Sequence, residues 1–139
     1  MNLLDENIRH DQGEQLRKWR IPFRLLMRDL ARFGIQDPDV IPLLHRCKYP
    51  TLFTHDKDYF NRTLVHPAYC LVWLDLYDGD AALFIRRFLR HSEFNSHTKR
   101  MGKVVRLHPQ RINFWQPGKG PLQTVKWPAI RVAALAHFN

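Results

Sequence analysis

The segment THDKDYF, residues 54–60, sets two carboxylates, Asp56 and Asp58, one residue apart just beyond a short apolar run. Asp5 follows two leucines in NLLDEN, with Glu6 beside it, and Asp37 stands in the Asp-Pro-Asp of residues 37–39. Carboxylates crowded into one place repel and raise each other's pKa. A divalent cation that prefers hard oxygen ligands, Mg2+ or Mn2+, resolves that conflict. Such an ion polarises a phosphoryl oxygen and activates water, so Asp5, Asp37, Asp56 and Asp58 are the candidate metal ligands and catalytic residues of a phosphodiester hydrolase. Basic residues near them in sequence, Arg9, Lys57 and Arg62, are candidates to hold the substrate backbone. Arg100, within the basic run SHTKRMGKVVR of residues 96–106, is a fourth. His55 reads as solvent-facing or phosphate-contacting.

Each acid also has a plainer reading. Asp37 before Pro38 is a helix N-cap, and Asp56 and Asp58 punctuate a turn. Asp75 and Asp78, in DLYDGD, read as a turn and a cap. Trp19, Trp73, Phe114 and Trp115 can stack bases, but aromatic residues at such spacing more often serve the core.

The global charge points the same way as the acids and bases together. Of 139 residues, 22 are Lys or Arg and 13 are Asp or Glu, a net charge of +9. A field of that sign attracts phosphate polyanions, so RNA is the expected partner. The chain is 45% hydrophobic, enough for a core in one domain. No apolar run approaches the ~20 residues of a membrane span, and the first residues lack the layout of a secretion signal. Cys47 and Cys70 are too far apart for a ligand pair, which fits a reducing cytoplasm.

The elements that must position these residues alternate in type. Residues 2–5 read as a strand, 11–20 as a helix and 21–27 as a second strand. Gly34 marks a break. A helix then starts with Asp37 as N-cap and Pro38 as its first residue, and runs to about His45. Residues 50–54 and 69–75 read as strands, the second nearly all apolar, as expected when both faces are covered. Residues 80–90 are the clearest helix, with Ala81, Phe84, Ile85, Phe88 and Leu89 as its stripe. Val104–Leu107 and Ile112–Trp115 read as a closing pair of strands around a turn. Residues 116–139 lose the pattern and read as a C-terminal tail beyond a domain of residues 1–115. Alternating strands and helices predict an α/β fold with a parallel sheet covered on both faces, and ligands beyond the carboxyl ends of its strands. Asp5, Asp56 and Asp58 fall at such ends, and Asp37, opening a helix whose start faces the same edge, is expected there too, so four carboxylates are expected to converge on one rim.

LLDEN, GIQDPDVIPLL and TLFTHDKDYF, in that order, resemble the PIN-like nuclease superfamily, in particular its small bacterial branch related to VapC-type toxins. The resemblance covers roughly residues 1–115. It implies a three-layer α/β/α sandwich with a mainly parallel sheet and closing antiparallel strands. It also implies Mg2+- or Mn2+-dependent cleavage of single-stranded RNA, the activity of the toxin in a toxin–antitoxin pair, with a cognate antitoxin as partner. Asp5, Asp37, Asp56 and Asp58 match its acids, Glu6 matches a neighbouring one, and Asp37 stands where typical toxins carry Glu. Relatives often form homodimers, for which apolar positions of residues 80–90 could serve. The alternative expectation is an inactive nucleic-acid-binding or protein-interaction module whose acids only cap helices.

Overall fold

The computed structural model of the chain describes residues 1–34, 37–118 and 120–129. Seven strands form one sheet: β1 (Asn2–Leu4), β2 (Arg24–Leu25), β3 (Thr51–Thr54), β4 (Cys70–Leu74), β5 (Val104–Leu107), β6 (Ile112–Trp115) and β7 (Gln123–Val125). Their order is β2-β1-β3-β4-β5-β6-β7. The first five run parallel, and β6 and β7 close the sheet antiparallel. Helices α1 (His10–Lys18), α2 (Arg28–Arg32), α3 (Val40–His45), α4 (Ala81–Arg90) and α5 (His97–Arg100) fill the connections.

The apolar strands are continuous because both faces bury side chains. Successive residues of a strand point to opposite faces. Leu4, Phe53, Val72 and Val105 accordingly join one cluster with Leu16 of α1 and Ile85 and Phe88 of α4. Their neighbours Leu3, Leu52, Leu71 and Val104 join a second with Leu30 of α2 and Leu43 and Leu44 of α3. Phe53 and Leu52 are wholly buried, each worth about 1.5–3 kcal/mol relative to an exposed side chain. Gln12 links two helices on the first face, its Oε1 accepting from the Ala82 N–H at the start of α4, 2.9 Å away. Arg86 of α4 lies 3.7 Å over the Trp19 ring after α1.

Two expected elements differ in extent. The strand expected over residues 21–27 contracts to Arg24–Leu25. Pro22 has no N–H to give a ladder, and acids fasten the short strand instead. The Asp29 carboxylate accepts from Leu25 N–H at 2.7 Å, which holds its pKa below the usual carboxylate range, and Glu6 Oε1 accepts from Met27 N–H at 2.9 Å. The helix expected to begin at Pro38 begins at Val40, with Asp39 as N-cap. Asp37 instead accepts the Asp39 N–H at 3.0 Å, a local turn ahead of the helix. Pro42 then falls in the first helical turn, where its missing N–H costs nothing.

Residues after Gln116 contribute to the folded unit. β7 pairs with β6, Val125 opposite Ile112. Trp127 Nε1 donates to the His108 carbonyl at 2.7 Å, and its ring meets Phe84 at 5.5 Å. His91 Nε2 donates to the Lys126 carbonyl at 2.8 Å. Gly102, at φ +90°, lies so close to Pro117 that an added Cβ would stand 2.7 Å from Pro117 Cγ. Residues 130–139 of the expected tail lie outside the described residues. Among the described residues, no helix is long and apolar enough to cross a membrane.

Candidate active site

In a doubly wound sheet the strand order reverses at one point, and the crevice beyond the carboxyl ends there is the natural ligand site. Here the chain moves outward from β1 to β2 and then back past β1 to β3, so the reversal lies between β1 and β3. Asp5 directly follows β1 and Thr54 ends β3. Asp5 continues the ladder, its N–H donating to Phe53 C=O at 2.9 Å.

One hydroxyl joins the two strand ends. Thr54, buried, donates from Oγ1 to Asp5 Oδ2 at 2.7 Å. The same oxygen accepts from the Asp56 N–H at 3.0 Å and from Asn7 Nδ2 at 3.2 Å. A hydroxyl has one proton to give and two lone pairs to receive, so all of its capacity is used here. The Asp5 carboxylate and the Asp56 backbone are therefore no more than two hydrogen bonds apart. Asp5 Oδ1 also accepts the Glu6 N–H at 2.7 Å, and Asn7 Oδ1 accepts the His55 N–H at 3.2 Å. Asp56 caps the 3-10 turn Lys57–Tyr59, its Oδ1 accepting the Asp58 N–H at 2.9 Å.

Tyr59 reports the field these residues create. Its phenol pKa is raised first by burial, then by the negative charges of Asp5, Asp56 and Asp58. Three of the four expected acids thus act on one ring. The Asp37 carboxylate is engaged in its own loop, where it accepts the Asp39 N–H at 3.0 Å. Among the described residues, no three Asp, Glu, His or Cys side chains meet as a ready-made cation cage.

Two clefts flank the Asp56–Asp58 turn. The wider, about 630 Å3, is lined by Asn7, His55, Asp56, Lys57, Trp73 and Asp75, among others. The second, about 420 Å3, is lined by Lys57, Asp58, Phe60, Asn61 and Trp73. His55 Nδ1 donates to the Leu74 carbonyl at 3.2 Å, which leaves a buried Nε2 without a hydrogen-bond partner. Asp75, whose sequence context reads as a turn, reaches the wider cleft at the end of β4. Arg106 Nε donates to it at 2.8 Å.

The basic candidates divide. Lys57 lines both clefts. Arg9 is on the same rim but is already engaged: it holds Asp11 bidentately, at 3.0 and 2.8 Å, and stands 3.5 Å from Asp78. Those acids push its pKa upward. Arg62 lies 5.2 Å over the Trp115 ring. Trp115 pairs with Val104, the first residue of β5, so Arg62 has descended toward the opposite edge of the sheet. Arg100 is at that opposite edge, donating to Thr51 Oγ1 at 3.2 Å and to the Phe94 carbonyl at 2.8 Å. Its burial lowers its pKa.

Asn7, Thr54 and Tyr59 were not singled out as site residues. Only Thr54 carried a local signal, standing two residues before Asp56, an offset at which Thr bonds the neighbouring backbone. Asn7 bonds across the strands to Thr54 and His55, which no local spacing marks. No family model, no curated protein and no solved structure matches the chain.

Proposed function

We propose that the protein is a metal-dependent endoribonuclease that cleaves single-stranded RNA, working at the carboxyl-end crevice between β1 and β3. The observation that carries the reading is the Thr54 hydroxyl bonded at once to Asp5 and to the Asp56 turn. Two neighbouring parallel strands direct their terminal polar groups to one carboxylate-bearing rim, in a chain of net charge +9. The two apolar clusters on opposite sheet faces support reading the fold as the three-layer PIN-like sandwich that the sequence resembles. The same resemblance carries the proposal of a toxin with a cognate antitoxin.

The donor set fits Mg2+ or Mn2+. Asp5, Asp56 and Asp58 offer only hard oxygens, and Mg2+ is typically held by one or two carboxylates, with water and substrate phosphate completing its shell. Asp5 and Asp56 would hold the ion, and Asp58 would add charge from the next turn. A bound ion would supply Lewis acidity and a more acidic water. The chain's own residues do the rest. Thr54 and the Glu6 N–H fix both Asp5 oxygens in orientation, and the Asp58 N–H fixes one of Asp56. Asn7 ties His55 to the β1 end. Lys57, at the mouth of both clefts, attracts the phosphate backbone.

The test is cleavage of a single-stranded RNA in Mn2+ by wild type, Asp5→Asn and Asp56→Asn. Mn2+-dependent cutting by wild type and at least ~100-fold less by both variants is expected. Robust cleavage by both variants ends the proposal. A second reading, a nucleic-acid binder without catalysis, draws on Asp37, whose carboxylate is bonded within its own loop to the Asp39 N–H. It is favoured if wild type and variants bind RNA alike and none cuts.

A further inference from the structure

Trp73 has surroundings unlike those of the other apolar residues of β4. The residue two before it on the same face, Leu71, is wholly buried. Trp73 is only partly buried and forms the wall shared by the two clefts. Register explains this. Along the sheet's carboxyl edge, Trp73 stands between Thr54 of β3 and Arg106 of β5, and Arg106 is opposite Asn113 of β6. That row is polar apart from the indole. The row below it on the same face, Leu52, Leu71 and Val104, is core. A core role does not call for tryptophan at the polar end of a strand.

The indole is placed for contact. Phe60 meets it at 5.8 Å with a tilt of 34°. Arg106 lies 5.5 Å from the ring and is fixed in place by Asp75 on one side and Asn113, at 3.2 Å, on the other. Thr54, on the neighbouring strand, is one strand spacing of about 4.8 Å from Trp73. The ring therefore adjoins the hydroxyl that unites Asp5 and Asp56. Lys57 lines both clefts beside it.

We propose that Trp73 is a base-stacking wall, on which an unpaired base of a single-stranded nucleic acid lies while the flanking phosphate faces Lys57. This rests on the nuclease reading for the nature of the polyanion. Every base has a π face, whereas a duplex keeps its bases stacked inside, so the subsite selects single strands without selecting sequence. Asp75 beside the ring does not repel the ligand strongly, because Arg106 neutralises it. The position also gives the stack a purpose: a base held at Trp73 places an adjoining phosphodiester at the carboxylate rim.

The experiment is direct binding in EDTA, so that cleavage plays no part. Fluorescence anisotropy compares a labelled twelve-residue oligothymidylate with an abasic oligomer of the same length and charge. Wild type is expected to prefer the oligothymidylate by roughly ten-fold, within the range of one base–aromatic stack. Trp73→Ala is expected to lose that preference and Trp73→Phe to keep most of it, with thermal melts confirming that both fold. Equal affinity of wild type for the two oligomers, or a preference undiminished in Trp73→Ala, overturns the proposal. If the preference stands but no RNA is cut in Mn2+, the stacking site survives and the nuclease reading fails. If RNA is cut but no base preference exists, the reverse holds.

Discussion

The hydroxyl of Thr54 donates to the Asp5 carboxylate at 2.7 Å across 49 residues of chain. It joins the last residue of one strand to the residue following another, at the point where the sheet reverses its order. A bond between such distant residues forms only when the parallel ladder from Asn2↔Thr51 to Leu4↔Phe53 is in register. It is thus both a product of the fold and the device that gathers the site.

Thr54→Val keeps the shape and removes the hydroxyl. Asp5 Oδ2, the Asp56 N–H and Asn7 Nδ2 all lose their shared partner. A loss of roughly 2–3 kcal/mol in stability is expected by urea denaturation, since stranded polar groups cost ~1–3 kcal/mol each and part of this is recovered by water. RNA cleavage should fall at least ~10-fold, and Thr54→Ser should restore most of both. Full activity in Thr54→Val would show that the hydroxyl does not organise the carboxylates.

Tyr59 gives a spectroscopic handle on the same acids. Burial and the three negative charges raise its phenol pKa, so the neutral form is favoured in the folded state. The stability this contributes is complete below the ordinary tyrosine value of ~10 and is lost as pH rises through the higher folded value. The difference between wild type and Tyr59→Phe in absorbance at 295 nm isolates this titration. Its midpoint should lie above ~10. Asp56→Asn should lower it, and so should Ca2+, which takes the same oxygen ligands. A midpoint indifferent to both would separate the phenol from the carboxylates.

Trp127 tests how far the folded unit extends. Its indole N–H reaches the His108 carbonyl, and its ring packs on Phe84 under the guanidinium of Arg87, 4.6 Å away. Trp127→Ala should cost about 2–3 kcal/mol, below the ~3–5 kcal/mol of a fully buried tryptophan because this one is half-buried. The corresponding fall in Tm is roughly 5–15 °C, measured by calorimetry. An unchanged Tm would mark the segment after Gln116 as dispensable to the fold.

Much of the architecture was legible before any coordinates. The helix of residues 80–90 and the strands at 69–75, 104–107 and 112–115 appear within a residue or so of their expected places. Their patterns are strong because each buries a continuous stripe or both faces of a strand. Weaker patterns mislead where a single local group decides. Asp39, not Asp37, stands at the N-cap position of α3, without a side-chain capping bond, and the Asp37 side chain accepts the Asp39 N–H instead. SHTKR, read as part of a basic run with no element of its own, forms the one-turn helix α5, capped by Ser96.

Sequence alone determined the chemistry on offer: which carboxylates exist, that some would fall at strand ends, and that the chain is basic. These follow from composition and from periods of two and 3.6 residues, which are local. Only the tertiary structure decided the company each residue keeps. Strand order joined Asp5 to the Asp56 backbone through Thr54, put Arg100 on the opposite edge of the sheet, and left Trp73 half-buried between two clefts. Strand order is a property of contacts between residues far apart in the chain, and no local spacing encodes it.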